Sequence, residues 1–152
     1  MATTTSVNGT ATAPAAVVRA FLEGLEAGDL DGALDLLADD AVWINVSLPT
    51  ARGRKRIESL IRLGFGRLGM RFRVHFHHVA TDVDVVLTER TDAIGIGPFE
   101  QRFWVTGRFE VRDGKIVVWR DYFDYVDYTV SILRGLAGML SSRLNRPWPA
   151  QH

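Results

Sequence analysis

The chain has 152 residues, enough for one domain with a sizeable core and too few for two. Eighteen basic residues balance eighteen acidic ones, so nothing in the charge favours nucleic acid or an anionic membrane, and the expected partner is small or proteinaceous. No apolar run reaches the length of a membrane span, and Met1 to Thr10 carries neither a basic region nor an apolar run of the kind a secretory leader needs. A cytoplasmic protein is expected, although the absence of cysteine fits either redox compartment.

Residues 1–13, rich in Thr, Ala, Ser and Gly and without periodicity, read as a tail. Residues 14–146 read as a single α+β domain and 147–152 as a C-terminal tail. Pro14 suits a first helical turn, and Val17, Val18, Phe21, Leu22 and Leu25 repeat at helical spacing until Gly28 ends the element. Asp29 can cap a second helix that turns Leu30, Ala33, Leu34 and Leu37 inward. A short strand, Ala41 to Val46, follows and is broken at Leu48-Pro49; a third helix is expected from Arg54 to Leu68, loosened by Gly64 and Gly66.

From Arg71 the period changes to two, with Phe72, Val74 and Phe76 on one face and Arg71, Arg73, His75 and His77 on the other. Further strands are expected over 83–94, 99–112 and 115–125, the last two joined by a tight turn at Asp113-Gly114. A final helical pattern runs through Val130, Leu133, Leu136, Ala137 and Leu140. Helices followed by a long antiparallel meander predict an α+β domain with helices on one face of a curved sheet, which can enclose a pocket at its open end.

Two strand segments break the apolar alternation with charge. Arg90 and Asp92 share a face with Val86, Thr88 and Ile94, and Asp121 falls in line with Trp119 and Phe123. A carboxylate set between two large aromatics is buried and needs a partner, and Arg90 is the candidate. Two carboxylates and one guanidinium in a dry pocket would carry net negative charge if both ionised; one shared proton restores neutrality and leaves an acid and a base side by side. The guanidinium fork can donate to both neighbours and keeps its own proton.

Four stretches, Asp40-Ala-Val-Trp-Ile-Asn-Val-Ser-Leu-Pro49, Leu87-Thr-Glu-Arg-Thr-Asp92, Asp113-Gly-Lys-Ile116 and Trp119-Arg-Asp-Tyr-Phe-Asp124, together resemble the limonene-1,2-epoxide hydrolase family, within the cone-shaped superfamily of nuclear transport factor 2 and ketosteroid isomerase. The resemblance implies a curved mixed β-sheet with helices packed on its concave face around one deep pocket. It also implies a homodimer, and one-step hydrolysis of an epoxide to a vicinal diol without cofactor or metal. Carried onto this chain, Asp121 is the general base, Asn45 helps hold the water, Asp92 protonates the epoxide oxygen and Arg90 bridges the two carboxylates. Trp43 stands where the family has a water-positioning tyrosine, and its indole has one donor and no acceptor. Ile94, Phe103, Val105 and Phe123 fall at pocket-lining positions of the family, which suits a small lipophilic epoxide; a terpenoid, steroid or fatty-acid oxide would fit aromatic walls.

Other readings stand beside this one. Arg90, Asp92 and Asp121 could be an ion network tying two strands together, Trp43 a core aromatic, Asn45 a strand-end amide, and the pocket positions plain core. An isomerase or cyclase of the same cone, using either aspartate to take a carbon-bound proton, and a non-catalytic lipophile-binding domain are the rival functions. His75, His77 and His78 lie close in sequence, but without cysteine and with arginines on the same face they make a poor zinc set. Asp124 is expected on the strand face opposite Asp121, meeting solvent or an arginine.

Overall fold

The computed structural model describes residues 13–150, so the expected tail at 1–13 lies, apart from Ala13, outside the described residues. Helix α1 (Pro14–Ala27) has proline in its first turn and ends at Gly28, whose φ of 76° is the left-handed conformation that suits glycine. It buries Val17, Val18, Phe21, Leu22 and Leu25, the stripe its spacing predicts. Asp29 caps the short helix α2 (Leu30–Asp35) by accepting a hydrogen bond from the Gly32 N–H.

The first strand, β1 (Leu37–Asn45), starts four residues earlier than the sequence pattern suggests. Leu37, expected on the helix, instead pairs with Ile116, and a shift of register separates that pair from the regular ladder beginning at Val42. The two-residue β2 (Ala51–Arg52) has too little length to show a period. The α-helical part of the third helix, α3 (Arg54–Arg62), stops early, and Leu63–Arg67, containing both glycines, widens into a π-turn.

Four long strands complete the sheet: β3 (Arg71–Asp82), β4 (Val85–Ile96), β5 (Phe99–Arg112) and β6 (Lys115–Tyr122). The order is β2-β1-β6-β5-β4-β3, with β1 and β6 parallel and the other neighbours antiparallel. The turn at Asp113-Gly114 has positive φ at both residues, as a tight hairpin requires. The fold is thus the expected α+β cone, a curved mixed sheet with α1 buried against its concave face. Phe21, Leu22 and Leu25 meet Val74, Val86, Phe109 and Trp119 in one core.

The last strand ends at Tyr122, short of the expected Tyr125. Asp124 is not a strand residue: it is the N-cap of α4 (Tyr125–Gly138), accepting from the Val126 and Asp127 N–H groups. The apolar stripe of α4 does not supply core, since Val130, Leu133 and Leu136, and Leu140 just beyond the helix, are exposed. The helix instead seats its small face, Ser131 and Gly135, on β5, and a Cβ at Gly135 would stand 2.8 Å from the Glu100 carbonyl oxygen. Among the described residues no helix is long and apolar enough to cross a membrane.

Candidate active site

The parallel register of β1 and β6 sets Trp43 opposite Trp119 and Asn45 opposite Asp121. The antiparallel register of β4 and β5 sets Asp92 opposite Phe103 and Arg90 opposite Val105, while Gly107 lies between Thr88 on one side and Asp121 on the other. Residues distant in the chain are therefore brought to one patch of the concave face by hydrogen-bond register alone.

Arg90 is completely buried and has three partners there. Its Nε–H is shared between the two oxygens of Asp92 at 2.9 and 3.1 Å, Nη2 donates to Asp121 Oδ1 at 2.7 Å, and Nη1 donates to Thr88 Oγ1 at 3.0 Å. The second oxygen of Asp121 is also taken, by the indole N–H of Trp119 at 2.7 Å. Both aspartate side chains are about as buried as the core around them, at 6% exposure for Asp92 and 5% for Asp121.

Burial pushes the Asp92 carboxyl up from 3.8 to about 7, and the negative charge of Asp121 adds to the rise against the lowering pull of Arg90. Burial works against the charge of Arg90, but the two aspartates outweigh it and the guanidinium is held more firmly protonated than usual. Near neutral pH the Asp92 carboxyl is therefore poised between its acid and its carboxylate form.

A cavity of about 400 Å³ stands over this cluster. Asp92 and Asp121 form part of its lining, whereas Arg90 does not reach it, so the two carboxyls face the cavity and the cation supports them from below. Asn45 and Trp43 also line it, with Ile94 and Phe103 from the sheet and Phe123 just past the end of β6. Val105 was expected in the same wall; it is fully buried opposite Arg90, below the level of the carboxyls, and does not line the cavity.

Trp43 is stacked on Trp119 with ring centroids 4.5 Å apart, and its own Nε1 is buried without a hydrogen-bond partner among the described residues. The histidines sit apart from the cavity: His77 bonds Thr91 Oγ1 and stacks on Trp104, and His78 bonds Glu89.

Several residues of the site escaped the sequence reading. Leu25 of α1, Leu48 of the β1–β2 loop, Leu60, Ile61, Phe65 and Met70 from the α3 region, and Tyr125 and Tyr128 of α4 complete the cavity wall. Tyr128 packs edge-on against Phe103 and Phe123 at 5.0 and 5.7 Å. Thr88 was visible as a neighbour of Arg90 on the strand face, and Gly107 as an isolated glycine within an alternating strand, a usual sign of close approach.

The cone and its buried polar floor define the class to which the chain belongs. A solved NTF2-like protein from Cytophaga hutchinsonii matches at a TM-score of 0.58 and 15% identity, covering 73% of this chain and 89% of its own, which speaks for the fold alone. Residues 12–134 match the limonene-1,2-epoxide hydrolase catalytic domain. Epoxide hydrolase EphG of Mycobacterium tuberculosis is 46% identical over 123 residues, 81% of each chain. The structure of an M. tuberculosis LEH-like epoxide hydrolase matches at a TM-score of 0.83 and 42% identity, covering 89% of this chain and 95% of its own. The chain belongs to the limonene-1,2-epoxide hydrolase family and is an epoxide hydrolase of that type.

Proposed function

We propose that the chain hydrolyses a lipophilic epoxide to a vicinal diol in one step, using only its own side chains as acid and base. Asp121 takes a proton from water while that water attacks an epoxide carbon. The C–O bond opens, and Asp92 gives its proton to the leaving oxygen. One proton has then moved from Asp92 to Asp121, and its return resets the pair. Asn45 can both donate to and accept from the attacking water, and Arg90 holds the two carboxyls in register.

The observation that carries this reading is the pair of carboxyls on one buried guanidinium at the cavity lining, with Asp92 raised to about 7. Apolar and aromatic side chains make up nearly all the remaining wall, which favours a lipophilic substrate of terpene, steroid or fatty-acid size. We also take the protein to be a homodimer; the exposed apolar residues Leu133 and Leu136 of α4 and Leu140 just beyond it are available as contact surface, and light scattering on the eluting protein tests the assembly.

The test of function is mass spectrometry of products formed in ¹⁸O-water from terpene, steroid and fatty-acid epoxides. In a single turnover the diol should carry one solvent oxygen, and Asp121→Asn should form it at least about a hundredfold more slowly. Absence of diol from every epoxide, with the protein folded, would reject the reading and make an enolisable ketosteroid the next substrate to try.

A further inference from the structure

The acid and base roles require the single proton of the pair to rest on Asp92, yet both aspartates are bound to the same guanidinium. Arg90 does not distinguish them by count: it gives one N–H to each, with Nε shared across the two oxygens of Asp92 and Nη2 directed at Asp121 Oδ1. The difference lies outside the triad. Asp121 receives a second donor, the indole N–H of Trp119 at 2.7 Å, and among the described residues Asp92 receives none besides Arg90.

We infer that Trp119 is a positioning residue that decides which of the two carboxyls holds the proton, making Asp121 the base and Asp92 the acid. The inference rests on the roles proposed above. A hydrogen bond from a neutral donor is stronger to a carboxylate than to a carboxylic acid, so the indole stabilises the state with Asp121 ionised and the proton on Asp92. Of the charges on the surrounding elements, one acts in the same direction as the indole, but from a distance and without a hydrogen bond to either carboxyl. Arg90, on β4 with Asp92, bonds both Asp92 and the β6 residue Asp121, and Glu26 of α1 raises Asp92 from a distance, which reinforces the proton there. The residues that β1, β5 and α4 bring to the cavity, Trp43, Asn45, Phe103, Tyr125 and Tyr128 among them, are neutral.

The indole is also fixed in place. Trp119 is 7% exposed, lies 4.5 Å from the parallel ring of Trp43, and meets Phe21 edge-on at 4.9 Å. Two residues before Asp121 on the same strand, it faces the same way, so its N–H lies alongside the carboxylate. These contacts lock both oxygens of Asp121 to fixed donors and leave its remaining lone pairs for the water proton.

The test replaces Trp119 with benzothienylalanine, which keeps the fused ring and its packing but has sulfur in place of the N–H, with Trp119→Phe as the genetically encoded companion. Two quantities are read: the pH profile of kcat/KM, and the protonation of each aspartate by carbon-13 NMR of its carboxyl, assigned with Asp92→Asn and Asp121→Asn. In the parent the proton should reside on Asp92. In the benzothienyl variant part of it should move to Asp121, the plateau of kcat/KM should fall about tenfold, and the acidic limb should move to higher pH by about one unit, the size expected of one hydrogen bond to a charged group.

A rate loss at every pH with the limb and the proton unmoved would make Trp119 a packing residue and overturn the inference, leaving the acid and base roles intact. A proton found on Asp121 in the parent would instead overturn the roles themselves. If Trp119→Phe does not fold, the benzothienyl protein, which preserves the stack, still decides the matter.

Discussion

A Cβ built on Gly107 would stand 2.2 Å from Nη1 of Arg90 and 2.6 Å from Thr88 Oγ1. The guanidinium thus lies directly against the β5 backbone, and the glycine is the notch that admits it. Backbone conformation is not the reason for glycine here, since Gly107 is not among the residues with positive φ. Close approach is. Gly107→Ala is expected to displace Arg90 and lower kcat/KM on the order of a hundredfold or more, because small misplacements of reacting groups cost that much. Near-parent activity in a folded Gly107→Ala protein, measured by diol formation, would show that Arg90 need not occupy this position.

Thr88 accepts from the Nη1 that faces away from both aspartates. Thr88→Val should leave that buried donor unsatisfied and destabilise the protein by about 1–3 kcal/mol. Arg90→Lys should cost more, about 3–5 kcal/mol, since one compact ammonium cannot reach all three partners and leaves a buried carboxyl without its charged hydrogen bond. Urea unfolding of both variants checks the order; equal stabilities would mean the triad is not held by its cation.

Asp92→Asn and Asp121→Asn should each reduce turnover by about 10²–10⁴, the usual span for loss of a general acid or base. Their stabilities should differ little from the parent, because the amide at 92 replaces a neutral acid. In Asp121→Asn, Asp92 can ionise to balance Arg90. Stopped-assay measurement of diol from any accepted epoxide settles the point, and a variant that retained parental turnover would remove that residue from the mechanism.

Asp92 titrates at about 7 in the fold against 3.8 unfolded, so between these values the native state binds more protons than the unfolded chain. Its contribution to stability is therefore fully present below pH 3.8 and is lost as pH rises through about 7. Activity should fall over the same upper range, as the acid becomes a carboxylate. Asp92→Asn should flatten the dependence of urea stability on pH between these limits; an unchanged slope would place the titration elsewhere.

Trp43 contributes a stacked ring and an N–H without a protein partner. Trp43→Tyr should keep or raise kcat by offering a hydroxyl at the cavity wall that can both donate and accept. Stability should fall by about 0.5–1.5 kcal/mol as the stack on Trp119 is reduced. A large drop in kcat, with folding intact, would assign the indole a role of its own.

The local periods of the chain determined a great deal by themselves. Alternation placed Arg90 with Asp92 on one strand face and Asp121 with Trp119 on another, and an arginine between two buried carboxylates was foreseeable because charge inside an apolar strand needs a partner. The helical stripe of α1 and the Asp113-Gly114 turn were legible for the same reason: each depends only on neighbours within a few residues.

Tertiary structure decided what depends on register and close approach. Leu37 fits a helical spacing as well as a strand, and only pairing with Ile116 puts it in the sheet. The apolar pattern of α4 left its packing partner open, and the helix packs through Ser131 and Gly135, because small residues allow the backbone to lie against β5. Asp124 became a helix cap where the strand stopped. Val105 has the character of a wall residue and is withheld from the cavity by lying one pair below its floor, opposite Arg90. The donor from Trp119 to Asp121 and the notch at Gly107 belong to this group as well, since a two-residue strand period says which side chains share a face and not which atoms meet.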